Sequence, residues 1–148
     1  MRCLLQRVTQ AEVRVAGEIV GSCGVGWLIL AGVAPTDDDA VVTWMARKIA
    51  DLRLFPDDEG KFNRSIIDVG GSALVVSQFT LYADATKGTR PSFISAAPPE
   101  IAEPRYEQLC DALSARGIEV GRGVFAASMQ VSLVNDGPVT MLLEREAR

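Results

Sequence analysis

The chain contains no histidine. That absence removes Ser-His-Asp and Cys-His nucleophilic machinery, His-ligated metals and imidazole acid/base catalysis together. Cysteine is nearly as scarce. Cys3, Cys23 and Cys110 are odd in number, widely spaced and set among apolar neighbours, which suits small buried thiols rather than a disulfide framework or a zinc site. No apolar run approaches the roughly 20 residues needed to span a bilayer, and residues 1–7 enter a strand-like pattern without a signal-peptide core. The expected location is therefore the cytoplasm, with no membrane partner. Aromatic residues make up only 6% of the chain, and none of them reads as a base-stacking platform. An enzyme of this composition has to work with carboxylates, hydroxyls, backbone donors or groups on its own substrate.

What is present reads as one domain, residues 1–148, large enough to bury roughly 70% of its unfolded surface. Its 48% hydrophobic and 23% charged content is ordinary for a globular protein. A formal charge of −4 argues against general binding to DNA or RNA, which needs many cations near phosphates. A local footprint survives that argument. Between residues 61 and 91, Lys61, Arg64, Lys87 and Arg90 outnumber Asp68 and Asp84.

The opening third is mostly β. Residues 2–8 read as a first strand, 11–15 and 19–22 as a hairpin around Ala16-Gly17-Glu18, and 25–33 as a strand buried on both faces. Thr36 and Asp37, Asp38 and Asp39 provide an N-cap and negative charge for a helix start. Val41, Met45, Ile49 and Leu52 follow at helical spacing, which predicts an amphipathic helix of about 13 residues. Turn residues at 55–60 and 68–71 bracket a polar segment. Pro98 and Pro99 open a second helix, with Tyr106, Leu109, Cys110 and Leu113 as its stripe, Gly117 beyond its end, and Pro104 either in the first turn or kinking it. The end returns to β at 118–125, 129–134 and 139–143. Asn135-Asp-Gly-Pro138 reads as a tight hairpin turn between the last two strands.

The stretch from Ala73 to Asp84 is the candidate site. An apolar, β-branched run acquires Ser77, Gln78 and Thr80 and gives way to a Gly/Pro loop, residues 82–99, holding Lys87 and Arg90; loops of that length are disproportionately functional. Regular alternation puts Gln78 and Thr80 on one face and Ser77 and Phe79 on the other. Ser77 and Thr80 cannot then converge on one substrate unless the strand ends, twists or bulges there.

Ser77-Gln-Phe-Thr-Leu-Tyr-Ala-Asp84, together with Asn135-Asp-Gly-Pro-Val-Thr140, resembles the two signature motifs of the D-aminoacyl-tRNA deacylases, the D-tyrosyl-tRNA(Tyr) deacylase family. Lys87-Gly-x-Arg-Pro-Ser-Phe93, Ala96-Ala-Pro-Pro-Glu100, Gly123-Val-Phe125 and Met129-x-Val-Ser-Leu133 extend the resemblance along the chain. It implies an α/β (α+β) domain of antiparallel β-sheets forming a barrel-like core with two main helices, assembled as a homodimer. It also implies hydrolysis of the ester joining a D-amino acid to the terminal adenosine of tRNA, editing of glycyl-tRNA(Ala), and no cofactor or metal.

The resemblance carries residue roles as well. Backbone amides near Gln78 and Phe79 stabilise the oxyanion, while Ser77 and Gln78 position the adenosine. Thr80 matches a residue once considered a nucleophile. With no histidine to activate it, Thr80 is expected to support the loop, and attack is expected from water assisted by the substrate's own 2′-hydroxyl. Gly137-Pro138 is expected as a cis pair contributed across the dimer, leaving no room for an L side chain, with Asn135 and Thr140 as motif support. Met129 and Arg7 match positions that line or brace the site, and Lys87 and Arg90 are expected tRNA contacts. Three alternatives remain open: a sister editing enzyme acting on a mischarged L-aminoacyl-tRNA, a non-enzymatic tRNA-binding module, and a structural dimer whose polar loop is incidental.

Overall fold

One long strand, β1 (Arg2–Val15), organises the sheet. A computed structural model describes every residue from Met1 to Arg148. β1 is a single strand, although the polar Thr9-Gln10 in its middle reads as a break between two. It survives because it changes partners there. Arg2 to Val8 pair with β3 (Gly26–Gly32), whereas Ala11 to Val15 pair with β2 (Glu18–Cys23). Ala16 and Gly17, at φ of 50° and 82°, make the two-residue turn into β2, as a type I′ hairpin requires.

Helix α1 (Asp39–Asp51) follows β3. Its N-cap is Asp38, whose Oδ1 accepts from the Val41 amide at 2.9 Å, rather than Thr36. Asp37 is buried instead and accepts from the Met1 ammonium at 2.7 Å and the Ala34 amide at 2.8 Å. A small hairpin, β4 (Phe55–Pro56) and β5 (Phe62–Arg64), leads on to β6 (Ser72–Ser77), which pairs parallel to β3. Helix α2 (Pro99–Ala115) then returns the chain to β7 (Glu119–Arg122), parallel to β6. The expectation of purely antiparallel sheets is thus corrected at the centre. Strands joined through a helix come back in the same direction. Pro104 lies inside α2, beyond its first turn. The N–H it lacks would have served the carbonyl of Glu100, and both residues are exposed, so water can serve it instead.

The largest correction concerns β8 (Gln130–Glu144). The hairpin expected at Asn135-Asp-Gly-Pro138 does not form. β8 runs antiparallel along the whole of β1, from Gln130 opposite Arg14 to Glu144 opposite Arg2. Asn135 still faces Val8 and Thr140 faces Gln6, so the residues between them bulge out of the ladder. The Asn135 side-chain amide donates to the Arg7 carbonyl at 2.8 Å and the Val139 carbonyl at 3.1 Å. It replaces ladder bonds where Pro138 has no N–H to give.

The sheet order is β2-β1-β3-β6-β7, with β8 on β1. Its ends curl towards each other into a nearly closed, barrel-like shape. Gly21 permits that approach, since a Cβ there would lie 2.3 Å from the Arg122 carbonyl oxygen on β7. The main core, including Trp27, Met45, Ile49, Tyr106 and Leu109, fills the space between sheet and helices. A smaller core of Val8, Val13, Leu28, Leu74 and Val76 lies on the other side of the sheet. No helix is long and apolar enough to cross a membrane.

Candidate active site

β6 ends where the chemistry begins. Ser77 is its last residue, paired with Ala31 of β3, and the next amide, Gln78 N–H, donates to the Ala31 carbonyl at 2.8 Å. Gln78 then leaves the extended region at φ −146°, ψ 80°, and Phe79–Tyr82 form one 3₁₀ turn. Gly32 lets that turn sit against β3, because a Cβ there would lie 3.0 Å from the Gln78 carbonyl oxygen.

Ending the strand at Ser77 cancels the alternation that kept its polar residues apart. Ser77, Gln78 and Phe79 now line one cavity of about 520 Å³, with Val76, Phe125 and Met129 among its mostly hydrophobic walls. That volume falls within the usual range for small-molecule sites, and so does an apolar lining with few polar groups. Thr80 does not line it. Its hydroxyl is exposed and accepts a hydrogen bond from the Gln78 side-chain amide, a group that cannot take a proton from it. As first residue of the 3₁₀ turn, Phe79 has no acceptor for its amide within the turn. The Gln78 amide, by contrast, is already engaged with Ala31. Below the cavity, the buried Tyr106 hydroxyl donates to the Val75 carbonyl at 2.8 Å, and burial raises its pKa so that it remains a donor.

A second cluster forms at the β8 bulge. Arg7 is buried, donates to the Leu54 carbonyl at 2.6 Å, and places Nε 3.1 Å from the Asp136 carboxylate, an ion pair without hydrogen-bond alignment. Its guanidinium lies 5.6 Å from the Phe62 ring centroid. Asn135 ties the bulge down as described, and Gly137 and Pro138, joined by a cis peptide bond, stand exposed on it. Thr140, past the bulge, accepts from Gln6 Nε2 at 3.3 Å.

The structure therefore gathers Ser77, Gln78, Phe79 and Met129 at the cavity. It gathers Arg7, Asn135, Gly137 and Pro138 at the bulge, and none of these four lines the cavity within one chain. Lys87 and Arg90 are exposed on the loop of residues 83–98 and do not line the cavity. That loop is pinned at its base by reciprocal backbone hydrogen bonds between Asp84 and Ser92, both 2.8 Å.

Arg2 is the site residue that sequence reasoning missed. Its Nη1 donates to the Leu81 carbonyl at 2.8 Å, its guanidinium sits 4.6 Å from the Tyr82 ring centroid, and its Nε is 2.7 Å from the Glu144 carboxylate of β8. It clamps the 3₁₀ turn across 79 residues of sequence, so no local pattern announces it. Phe125, which also lines the cavity, lies in the local segment Gly123-Val-Phe125, within reach of a sequence motif. The thiols stay out of the chemistry. Burial pushes Cys3 up to about 12 and Cys110 up to about 11, which keeps both protonated. No group of three His, Cys, Asp or Glu side chains is placed to hold a metal ion.

Residues 4–144 match the family model described as D-Tyr-tRNA(Tyr) deacylase. The chain belongs to the D-Tyr-tRNA(Tyr) deacylase family. Within that family it is 60% identical over 144 residues to the D-aminoacyl-tRNA deacylase of Chloroflexus aurantiacus, covering 97% of this chain and 90% of that one. It is 57% identical over 146 residues to the protein of the same name from Desulfitobacterium hafniense, covering 99% and 98% of the two. A solved structure titled c-Myc DNA Unwinding Element Binding Protein superposes with a TM-score of 0.93 at 41% identity, covering 99% of this chain and 100% of that one. A structure titled as a probable eukaryotic D-amino acid tRNA deacylase superposes with a TM-score of 0.81, covering 96% and 97%. At 17% identity, that likeness speaks for the shared fold of the deacylase family alone.

Proposed function

We propose that this chain is a D-aminoacyl-tRNA deacylase, hydrolysing the ester between a D-amino acid and the terminal adenosine of tRNA. The observation that carries this reading is the end of β6, which turns Ser77, Gln78 and Phe79 into one cavity that holds no side-chain base. An aminoacyl ester beside a ribose hydroxyl is already reactive, so positioning and oxyanion stabilisation suffice.

Water attacks the ester carbonyl and the charge gathers on the carbonyl oxygen, where the Phe79 amide donates to it. Collapse breaks the bond to the ribose 3′-oxygen, and the 2′-hydroxyl relays the proton, passing its own hydrogen to that leaving oxygen as it accepts one from the attacking water. D-amino acid and tRNA leave. One well-placed oxyanion donor contributes about 2.7–4 kcal/mol, or roughly 100- to 1,000-fold. Ser77 and Gln78 hold the adenosine, and Thr80 braces Gln78 rather than attacking.

Discrimination comes from the bulge of a second copy. Gly137 and Pro138 of one protomer face the α-carbon of the substrate bound in its partner and exclude an L side chain, while Arg7 and Asn135 hold the bulge in shape. Exclusion of one enantiomer without recognition of a side chain accommodates many D-amino acids. It also accommodates glycine, so glycyl-tRNA(Ala) is a second substrate. Met129 lines the adenosine side of the cavity.

The test is the deacylation rate of matched D-tyrosyl- and L-tyrosyl-tRNA by the purified protein with a chelator present. Rapid loss of the D-ester alone supports the reading. Loss of the L-ester would instead make this chain a sister editing enzyme, and binding of charged tRNA without hydrolysis would make it a binding module.

A further inference from the structure

Next to the cavity lies a surface that the reaction at the ester does not use. Phe79, which lines the cavity, meets Phe93 edge to face, with centroids 5.1 Å apart and planes at 66°. Both rings remain partly open to solvent, at 56% and 39%, and the neighbouring Ile94 is 89% exposed. Large apolar side chains that are this exposed and contiguous signal contact with something. They come from segments 14 residues apart, so the composition alone gave no sign of a shared platform.

The charge around them is equally specific. Residues 85–98 contain Lys87 and Arg90 and no acidic residue, in a chain of net charge −4. The other cations of this basic stretch are occupied, Lys61 by Glu59 and Arg64 by Asp58. Lys87 and Arg90 have no carboxylate partner and stand exposed. The Asp84–Ser92 bonds hold the loop in shape, and the Thr86 amide donates to the Asp84 carboxylate at 2.9 Å and holds its pKa below the usual range. Phe93 lies three positions after Arg90, so their α-carbons are within about 11 Å.

We propose that the Phe93-Ile94 shelf with Lys87 and Arg90 receives the single-stranded 3′ end of the RNA just before its terminal adenosine, a base resting on the shelf and phosphates lying against the cations. An apolar platform beside unpaired cations is the arrangement by which single-stranded nucleic acid is bound without sequence reading. The inference rests on the proposed deacylase function and adds a subsite to it. The shelf anchors the RNA, and the cavity takes only the adenosine and its ester.

Two substrates separate the roles: D-tyrosyl-tRNA, and the 3′-O-D-tyrosyl ester of free adenosine. Ile94→Ser raises KM for the tRNA ester about fivefold, from loss of the apolar surface that the base covers. Lys87→Ala/Arg90→Ala flattens the dependence of log affinity on log salt by about 1.4, from two lost phosphate contacts to a single strand. Both variants turn over the adenosine ester like the native protein. Equal effects on the two esters, or no effect on either, overturn the subsite. If the native protein hydrolyses neither ester, the deacylase reading fails, and titration with uncharged tRNA still decides the shelf. Weaker binding by both variants supports it, and unchanged binding overturns it.

Discussion

Thr80 and Ser77 sit three residues apart in the signature motif and have different fates. The Ser77 side chain reaches the cavity from the last position of a strand, while Thr80, on the next turn, is exposed and bonded to an amide. A hydroxyl without a base is a weak nucleophile near neutral pH. Thr80→Ala is therefore expected to keep deacylation of D-tyrosyl-tRNA within about tenfold of native in single-turnover assays, whereas loss of a catalytic group costs about 100- to 10,000-fold. A collapse of the chemical step with tRNA binding intact would restore the nucleophile. The buried thiols give a separate prediction at this scale. Burial raises Cys3 from 9.0 to about 12, so below pH 9 its contribution to stability is constant. Above that, the unfolded chain gives up its thiol proton first, and stability falls as the pH rises from about 9 towards 12. Thermal melts should show this alkaline decline, and Cys3→Ala should make it shallower.

At the scale of elements, the 3₁₀ turn Phe79–Tyr82 is held from outside by Arg2, which links the Leu81 carbonyl to Glu144 at the end of β8. Arg2→Ala frees the turn that orients the Phe79 amide. The expected result is a kcat about tenfold lower with KM nearly unchanged, because the lost interaction acts on the transition state more than on bound substrate. Arg2→Lys keeps a charge for Glu144 and should recover part of the loss. An unchanged kcat in Arg2→Ala would show that the turn holds its own shape.

The same elements show how far the sequence can be read. α1 and α2 were legible because apolar spacing, capping acids and prolines all agree. Of the cavity, Ser77, Gln78 and Phe79 were legible, but their convergence was not, since it depends on β6 stopping after Ser77, a boundary set by pairing with β3. Asn135-Asp-Gly-Pro138 misled because Asp-Gly is a strong turn signal locally. The long edge of β1, unseen in local sequence, keeps β8 running straight past it. Arg2 was invisible for a similar reason, its partners lying far away along the chain.

For the whole molecule, the structural fact is that one chain keeps the cavity at the end of β6 apart from the bulge in β8, and the proposed function makes the two into one site. A symmetric pair of chains can complete each site with the other's bulge. Gln78→Ala should disable the cavity and Gly137→Ala the bulge. The second variant should still fold, since a Cβ on Gly137 would meet its own chain only at the Asn135 side chain. Unfolded together and refolded as a mixture, the two inactive variants should regain about a quarter of native activity, because half of the dimers are then hybrids with one intact site of two. No recovery, with hybrids shown to form by mass, would place bulge and cavity in the same chain's site or leave the bulge without a role.

The central feature of the reaction is that the substrate brings its own proton carrier to a cavity without a side-chain base. The measurement is the single-turnover rate on D-tyrosyl-tRNA ending in 2′-deoxyadenosine, with the amino acid on the 3′-oxygen, against the rate on the normal substrate. The expected result is a fall of at least about 100-fold, the scale of losing a proton-transfer partner, with binding of the tRNA little changed. An equal rate on the deoxy substrate would contradict it and send the search for the missing base back to the protein.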